Sequence, residues 1–208
     1  MRLRNLKVFA QARPGALPVP ARRDVNAFTA PSVLDRWSED AAGVRALERG
    51  DNVITIGRTA AGAILVKNGV VSVPIAGGSP TTSNTTSISA FGLGGADSIR
   101  IDEFDGDMPK AHLFGQSGDD VLTGGAGADQ IFGEAGRDFL FGGGGDDRVF
   151  GGSEDDELEG GRGKDELRGE DGNDKLVART DGGSDTMDGG PGTDVAQAEG
   201  SSLSDTIT

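Results

Sequence analysis

A nine-residue repeat dominates the second half of this 208-residue chain. The stretch GGAGADQIF, residues 124–132, is followed at once by GEAGRDFLF and GGGGDDRVF, which keep the same outline. Consecutive units open on a glycine without a slip, at Gly115, Gly124, Gly133, Gly142, Gly151, Gly160 and Gly169. A fixed short period of this kind predicts a solenoid, in which each unit packs only on its neighbours.

Three positions of the unit are nearly constant. Position six is an aspartate, at Asp120, Asp129, Asp138, Asp147, Asp156, Asp165 and Asp174. Position eight is aliphatic, at Leu122, Ile131, Leu140, Val149, Leu158, Leu167 and Leu176. Position four is a glycine, at Gly118, Gly127, Gly136, Gly145, Gly163 and Gly172, and Glu154 is the exception. The repeat therefore constrains a charge, a core residue and a turn separately.

The spacing predicts short strands that stack. Alternate residues of a strand face opposite sides, so the position-eight side chain points inward while positions seven and nine point outward. Two units then make one coil, with two short strands facing each other across a thin core. Residues 18 apart lie one above the other, separated by about 4.8 Å.

This stacking creates an electrostatic problem, because carboxylates repeated at the coil spacing repel one another. A hard cation between successive turns removes the repulsion, and Ca²⁺ accepts six to eight carboxylate and carbonyl oxygens. Glycines allow the turn backbone to adopt positive φ and to direct its carbonyl groups at the ion.

The units GGAGADQIF, GGGGDDRVF and GGRGKDELR resemble GGxGxDxUx, the hemolysin-type calcium-binding repeat of RTX proteins. The resemblance covers residues 115–177 closely and 92–208 more loosely. It implies an all-β fold, a right-handed parallel β-roll (a β-solenoid) with two nonapeptides per coil. It also implies that calcium is held between turns by the position-six aspartates and by carbonyls of the turns that contain the position-four glycines. Two aspartates 18 residues apart form one step of a row, and the resemblance implies one shared calcium ion at each step, which gives about five or more ions. The regular steps are 120/138, 138/156, 156/174, 129/147 and 147/165.

The register continues beyond the regular core with insertions. Upstream, Ala111 stands where an aspartate belongs, residues 101–105 are extra, and unit 92–100 restores the pattern at Asp97. Downstream, two residues are inserted at 178–179 and two more at 198–199. Asp185 and Asp194 are expected to extend the metal sites, with a register that the first insertion leaves open.

The first 91 residues do not carry the repeat. Residues 1–31 are basic and proline-rich, and we expect a flexible arm. Residues 32–91 predict a capping segment made of a short helix and a β-hairpin. The helix follows from Val33, Leu34, Trp37, Ala41, Val44 and Leu47, which fall on one helical face between Ser32 and Gly50. The hairpin turn is Asn68-Gly69, between two β-branched runs.

Composition restricts the partners. The net charge is −14, which disfavours nucleic acid and anionic membranes. The chain has no cysteine and no apolar run long enough for a membrane span, and its basic start is a poor Sec signal.

Several residues have a plain and a specific interpretation. Asp119, Asp146 and Asp155 at position five are expected to be solvated rather than ligating. Phe114, Phe132 and Phe150 recur at position nine and predict either a ladder that stabilises the sheet or an apolar stripe that docks another element. His112 is the only histidine, and no catalytic motif accompanies it, so we expect no enzyme.

The resulting expectation is a secreted calcium-binding module, extracellular and without a Sec signal, whose calcium-driven folding supports export. The resemblance implies type I secretion machinery as a partner. The alternative is a calcium-rigidified surface, adhesion or spacer module of a larger extracellular protein.

Overall fold

The computed structural model describes residues 6–12, 41–46, 51–68, 71–73, 75–76, 81–179, 183–199 and 206–207. All regular secondary structure in these ranges is β-strand, which confirms the all-β class. The N-terminal strands are β1 (Leu6–Ala12), β2 (Ala41–Ala46), β3 (Val53–Arg58), β4 (Ile64–Asn68), β5 (Val71–Val73), β6 (Ile75–Ala76) and β7 (Thr85–Phe91). The following strands are β8 (Ser98–Ile101), β9 (Lys110–Ser117), β10 (Val121–Thr123), β11 (Gln130–Ala135), β12 (Phe139–Gly144) and β13 (Arg148–Ser153). The last are β14 (Glu157–Arg162), β15 (Glu166–Asp171), β16 (Lys175–Arg179), β17 (Thr186–Asp188), β18 (Val195–Glu199) and β19 (Thr206–Ile207).

Two sheets built from alternate strands form a parallel β-solenoid. Among the described strands, one sheet stacks β7, β9, β11, β13, β15, β17 and β19 in parallel, and the other stacks β3, β8, β10, β12, β14, β16 and β18. Consecutive units of the repeat therefore alternate between the two sheets, so that two nonapeptides make one coil. In the regular part the pairing offset is 18 residues, with Ile131 opposite Val149 and Leu122 opposite Leu140.

The core is a double column of position-eight side chains. Each of these residues in the regular array is 0% exposed, from Leu122 to Leu176, and Met187 continues the column. One aliphatic side chain per unit fills a narrow interior only when coils stack on both sides, as expected for a repeat protein. The sequence pattern therefore identified the core correctly.

The position-nine phenylalanines form a stacked ladder on the outer face of one sheet. Ring centroids are 4.6 Å apart between Phe91 and Phe114, 5.0 Å between Phe114 and Phe132, and 4.9 Å between Phe132 and Phe150. The rings are within 6° of parallel, and the guanidinium of Arg168 lies 5.9 Å from the centroid of Phe150. Stacking between coils confirms the predicted ladder and adds Phe91 to it.

The two-residue insertions preserve the register because they occur in successive coils. Ala178 and Arg179 extend β16, and they pair with Ala198 and Glu199 at the end of β18. The coil grows from 18 to 20 residues, and Leu176 still faces Ala196. The insertion therefore lengthens one edge of the solenoid instead of shifting its aspartates.

The N-terminal strands close one end of the solenoid. The predicted hairpin is confirmed, since β4 and β5 pair antiparallel, but Asn68 belongs to β4 and pairs with Val71 instead of lying in the turn. The connection is at residues 69–70, which are outside the described residues. β4 in turn pairs antiparallel with β3, and β3 joins β8 in parallel. In the other sheet, β1 pairs antiparallel with β7. Because β1 lies within residues 1–31, part of the segment expected to be a flexible arm forms a strand of this sheet.

The predicted helix over residues 32–50 is wrong where it can be compared. Residues Ala41–Ala46 form β2, which pairs antiparallel with β1 and with β6. Helical spacing was a local signal, and the exposed sheet edge beside β1 offered backbone pairing that outweighed it. Trp37 and the rest of the predicted helical face lie outside the described residues. No described residue belongs to a helix that could span a membrane.

Candidate metal centre

The position-six aspartates form two rows along the edges of the solenoid, and all of them are buried except Asp194, which is half-buried. Row one precedes the strands of one sheet and contains Asp97, Asp120, Asp138, Asp156, Asp174 and Asp194. Row two precedes the strands of the other and contains Asp129, Asp147, Asp165 and Asp185. The structure thus brings all nine aspartates of the predicted metal set into rows and adds Asp97 to them.

Each row is held by a backbone-to-carboxylate ladder. The N–H of Asp120 donates to Oδ1 of Asp138 over 2.8 Å, and the N–H of Asp138 donates to Oδ1 of Asp156 over 2.8 Å. The same bond continues across the first insertion, from the N–H of Asp165 to Oδ1 of Asp185 over 2.8 Å. It also links Asp174 to Asp194 over 3.0 Å. One oxygen of each carboxylate therefore ties its coil to the preceding coil.

The second carboxylate oxygen is buried and has no protein hydrogen-bond partner at five aspartates of row one and at Asp147 of row two. The Oδ2 atoms without any hydrogen bond include those of Asp97, Asp120, Asp138, Asp147, Asp156 and Asp174. A buried carboxylate oxygen with no donor costs free energy unless a cation or a proton compensates it. Repetition of this feature at these aspartates indicates that the coils carrying them share the same kind of ligand.

Burial raises the pKa of these carboxyl groups well above the ordinary value of 3.8. The pKa rises to about 8 at Asp147 and Asp156 and to about 7 at Asp120. It rises to about 6 at Asp129 and Asp138. Loss of water is the main cause, and the backbone N–H of the preceding coil partly offsets it. Carboxylates one coil above and below raise the pKa of Asp147 and Asp156 further.

The position-one glycines leave a small gap lined by oxygens from two coils. A Cβ on Gly133 would lie closer than 3.0 Å to Oδ2 of Asp138 and to the carbonyl oxygen of Gly151. Gly142 has the same surroundings, with Asp147 and the carbonyl of Gly160. A carboxylate oxygen and a main-chain carbonyl converging on one side-chain-free space fit a hard cation.

The position-four turns adopt the backbone expected of glycine. Gly118, Gly136, Gly145, Gly163 and Gly172 all have φ between 108° and 156°. A Cβ on Gly136 would lie closer than 3.0 Å to the carbonyl of Gly118, one coil below. Glu154 keeps the turn shape at φ 79° despite its side chain, and its Oε2 accepts a hydrogen bond from the N–H of Gly136. Gly127, alone among the predicted position-four glycines, lacks the positive φ of the others.

Carboxylates alone do not surround any point in this arrangement. Within the described residues, no three histidine, cysteine, aspartate or glutamate side chains gather to form a metal cluster. A cation in either row would be shared by aspartates of successive coils, and turn carbonyls would complete its coordination. Calcium suits such a donor set because it accepts many oxygens in irregular geometry, whereas Mg²⁺ requires a strict octahedron.

The outer position-five residues confirm the expectation that they are solvated. Asp119, Asp146 and Asp155 are exposed, and each accepts a hydrogen bond from the backbone N–H of the residue 18 positions later. This bond runs opposite to the position-six ladder, so adjacent coils are clamped from both directions.

The residues that sequence reasoning missed are the position-one glycines and Asn52. The glycines were visible as the constant first letter of each unit, whereas Asn52 had no repeat to mark it. Ala111 is confirmed as a gap in row two, because its N–H donates to Oδ1 of Asp129 but it offers no carboxylate.

The raised pKa values predict how the metal-free protein responds to pH. The unfolded carboxyls titrate near 3.8 and the folded ones up to about 8, so the folded state binds more protons between these values. Stability without metal should therefore be greatest at low pH and fall as pH rises from about 4 to about 8. Urea unfolding in chelator at pH 5 and pH 8 measures this, and greater stability at pH 8 would contradict the assignment.

A glycine substitution tests the gap beside Oδ2. Gly133→Ala should abolish cation binding at its coil, since the added Cβ meets both Asp138 Oδ2 and the Gly151 carbonyl. Gly144→Ala is the matched control, because the nearest atom to its Cβ would be 3.8 Å away. Calorimetric calcium titration of both variants should show fewer ions for the first only. Equal ion counts would show that the gap is not part of the site.

Comparison with known proteins agrees with this geometry. The family model described as RTX calcium-binding nonapeptide repeat (4 copies) matches residues 114–149, 141–176 and 177–196. No curated protein and no solved structure shows significant similarity to the chain. The segment 114–196, which contains nearly all of both aspartate rows, therefore consists of RTX calcium-binding nonapeptide repeats.

Proposed function

We propose that this chain is a secreted calcium-binding β-roll whose folding is driven by calcium, and that this coupling supports export and extracellular stability. The observation that carries the proposal is the repeated buried Oδ2 atom without a protein partner, from Asp97 to Asp174 in row one. Calcium binding itself is indicated by the repeat family. The coupling to folding follows from the free-energy cost of burying these carboxylates without a compensating cation.

Without a cation, each added coil buries another carboxylate against its neighbours. The second oxygen of Asp156, a residue that is 3% exposed, meets neither water nor a donor. The aspartates one coil away, Asp138 and Asp174, act on it by repulsion. Binding free energy of the ion then becomes folding free energy, as in other metal-dependent domains.

The rows supply more steps than the regular array alone. Row one has five ladder bonds between successive aspartates and row two has three, which gives eight steps for shared ions. This count includes the steps at Asp185 and Asp194. We propose these eight steps as the calcium sites, with the right-handed coil of the RTX family.

The proposed extracellular location follows from the coupling of folding to calcium binding. A chain that needs calcium at many sites stays unfolded where calcium is scarce and folds where it is abundant. That behaviour suits passage through a secretion channel as an unfolded chain, followed by folding outside the cell. Type I secretion machinery is the partner that this proposal assigns.

The proposal includes no catalytic step. His112 is half-buried in β9, where it pairs with Ser89 of β7 on one side and with Gln130 of β11 on the other. Burial, followed by the charge of Lys110, lowers its pKa, so it is neutral at pH 7. A role as a strand residue accounts for this placement.

The first test is circular dichroism at neutral pH with chelator, with millimolar calcium and with the same concentration of magnesium. The strand signal should be weak in chelator, strong with calcium and little changed by magnesium, because the donor set favours calcium. A strand signal that is the same in chelator and in calcium would refute the coupling.

The second test separates a row aspartate from its exposed neighbour. Asp147→Asn keeps the Oδ1 acceptor for the N–H of Asp129 but removes the charge shared by two ladder steps. We expect calorimetry to count about two fewer ions, and the metal-free protein to be more stable at pH 8.

Asp146→Asn is the control for that variant, since Asp146 is exposed and contacts the next coil through Oδ1 alone. Its ion count should be unchanged and its stability within about 0.5 kcal/mol of the parent. Similar effects of the two substitutions would show that position six has no special role.

A further inference from the structure

Row one continues upstream of Asp97 into the N-terminal strands, where an asparagine takes the aspartate position. The N–H of Asn52 donates to Oδ1 of Asp97 over 2.8 Å, as the N–H of Asp97 donates to Oδ1 of Asp120 over 2.7 Å. Strand β3 pairs with β8 in the same register, with Ile54 opposite Ile99. Asn52 and Ile54 are therefore positions six and eight of a coil that lies 45 residues before its neighbour.

The side-chain amide of Asn52 donates a hydrogen bond, which an ionised aspartate cannot do. Its Nδ2 donates to Oδ1 of Asp97 over 2.8 Å, so this oxygen accepts two hydrogen bonds from one residue. Its Oδ1 accepts from Nδ2 of Asn68 over 3.1 Å, and Oδ1 of Asn68 accepts from the N–H of Val53 over 3.1 Å. Asn52 is 4% exposed, so these hydrogen bonds between neutral amides are buried at the end of the row.

The step between Asn52 and Asp97 therefore differs in charge from the steps that follow. Each later step of row one places two carboxylates in successive coils, which repel without a cation. At this step one carboxylate faces a neutral amide that donates to it, and hydrogen bonds to a charged acceptor are the stronger kind. The protein itself therefore supplies the stabilising donors of this step, and Asp51, the carboxylate of the Asn52 coil that repels Asp97, is exposed to solvent.

Both rows lose their second carboxylate at the same end of the solenoid. In row two, Ala111 replaces the aspartate, and the two oxygens of Asp129 accept from the N–H groups of Ala111 and Gly125. On the side of β3 away from β8, β4 adds Ile64 and Val66 to the core, with Val66 opposite Ile56. The apolar core thus extends past the point where the carboxylate pairs stop.

We propose that Asn52 ends the calcium ladder, and that β3, β4 and β8 form a calcium-independent cap on which the calcium-dependent coils stack. The proposal rests on the calcium-coupled folding proposed above, but it concerns which part of the chain does not need the ion.

Hydrogen exchange of the full chain, followed by mass spectrometry in chelator and in calcium, tests the cap. Amides of β3 and β8 should stay protected in chelator, while those of residues 115–176 exchange freely and gain protection with calcium. If the repeats do not respond to calcium, the proposed function fails. If the repeats respond and β3 is equally unprotected in chelator, the cap alone is refuted.

Asn52→Asp converts the neutral step into a carboxylate pair. In chelator, exchange in β3 should be faster by about tenfold or more, because a charged-group hydrogen bond is lost and a repulsion is added. Calcium should restore the protection, and calorimetry should count about one more ion than in the parent. Unchanged exchange in chelator, or an unchanged ion count, would overturn the proposal.

Two further variants control for charge and for folding. Asn84→Asp adds the same charge at an exposed turn, where Oδ1 accepts from the N–H of Thr81, and it should change neither the exchange of β3 nor the ion count. Asn52→Ala removes the Nδ2 donor without adding a carboxylate. It should speed exchange of β3 in chelator without adding an ion, and parent-like exchange would count against the cap.

Discussion

The structure depends on one hydrogen bond repeated along each edge, from the backbone N–H of one aspartate to Oδ1 of the aspartate in the next coil. In the regular array this bond sets the 18-residue offset and buries both carboxylates. Because it uses only one oxygen, the other is left without a donor at sites such as Asp138. The ladder that aligns the coils therefore also creates the demand for a cation.

Packing and charge are separated within each unit. The aliphatic at position eight closes the core, as Leu140 does at 0% exposure, while the aspartate two residues earlier stays at the edge of the sheet. Burial of the aliphatic side chains favours the stacking of coils at any metal concentration. Burial of the carboxylates raises the free energy of stacking until a cation or a proton neutralises them. Because the core is thin, the free energy gained from apolar burial is small enough for the cost of carboxylate burial to control folding.

The N-terminal end of the solenoid shows how the same architecture forms without carboxylate pairs. At the N-terminal end, Asn52 offers an amide where later coils offer a charge, and Ala111 offers only a backbone N–H. The antiparallel strands β4 and β5 then extend the sheet beyond β3, so that the three-residue strand β5 forms its edge. A short edge strand limits pairing with other chains.

The sequence by itself determined the repeat, the inward aliphatic column, the two aspartate rows and the phenylalanine ladder. These follow from a period of nine and an alternation of two, both of which are local properties of the chain. The tertiary structure alone decided three features. It placed Asn52 in row one across 45 residues, it paired the insertion at 178–179 with that at 198–199, and it made Ala41–Ala46 a strand. Each of these features depends on which strand pairs with which. Pairing between segments distant in the chain leaves no period in the sequence from which it could be predicted.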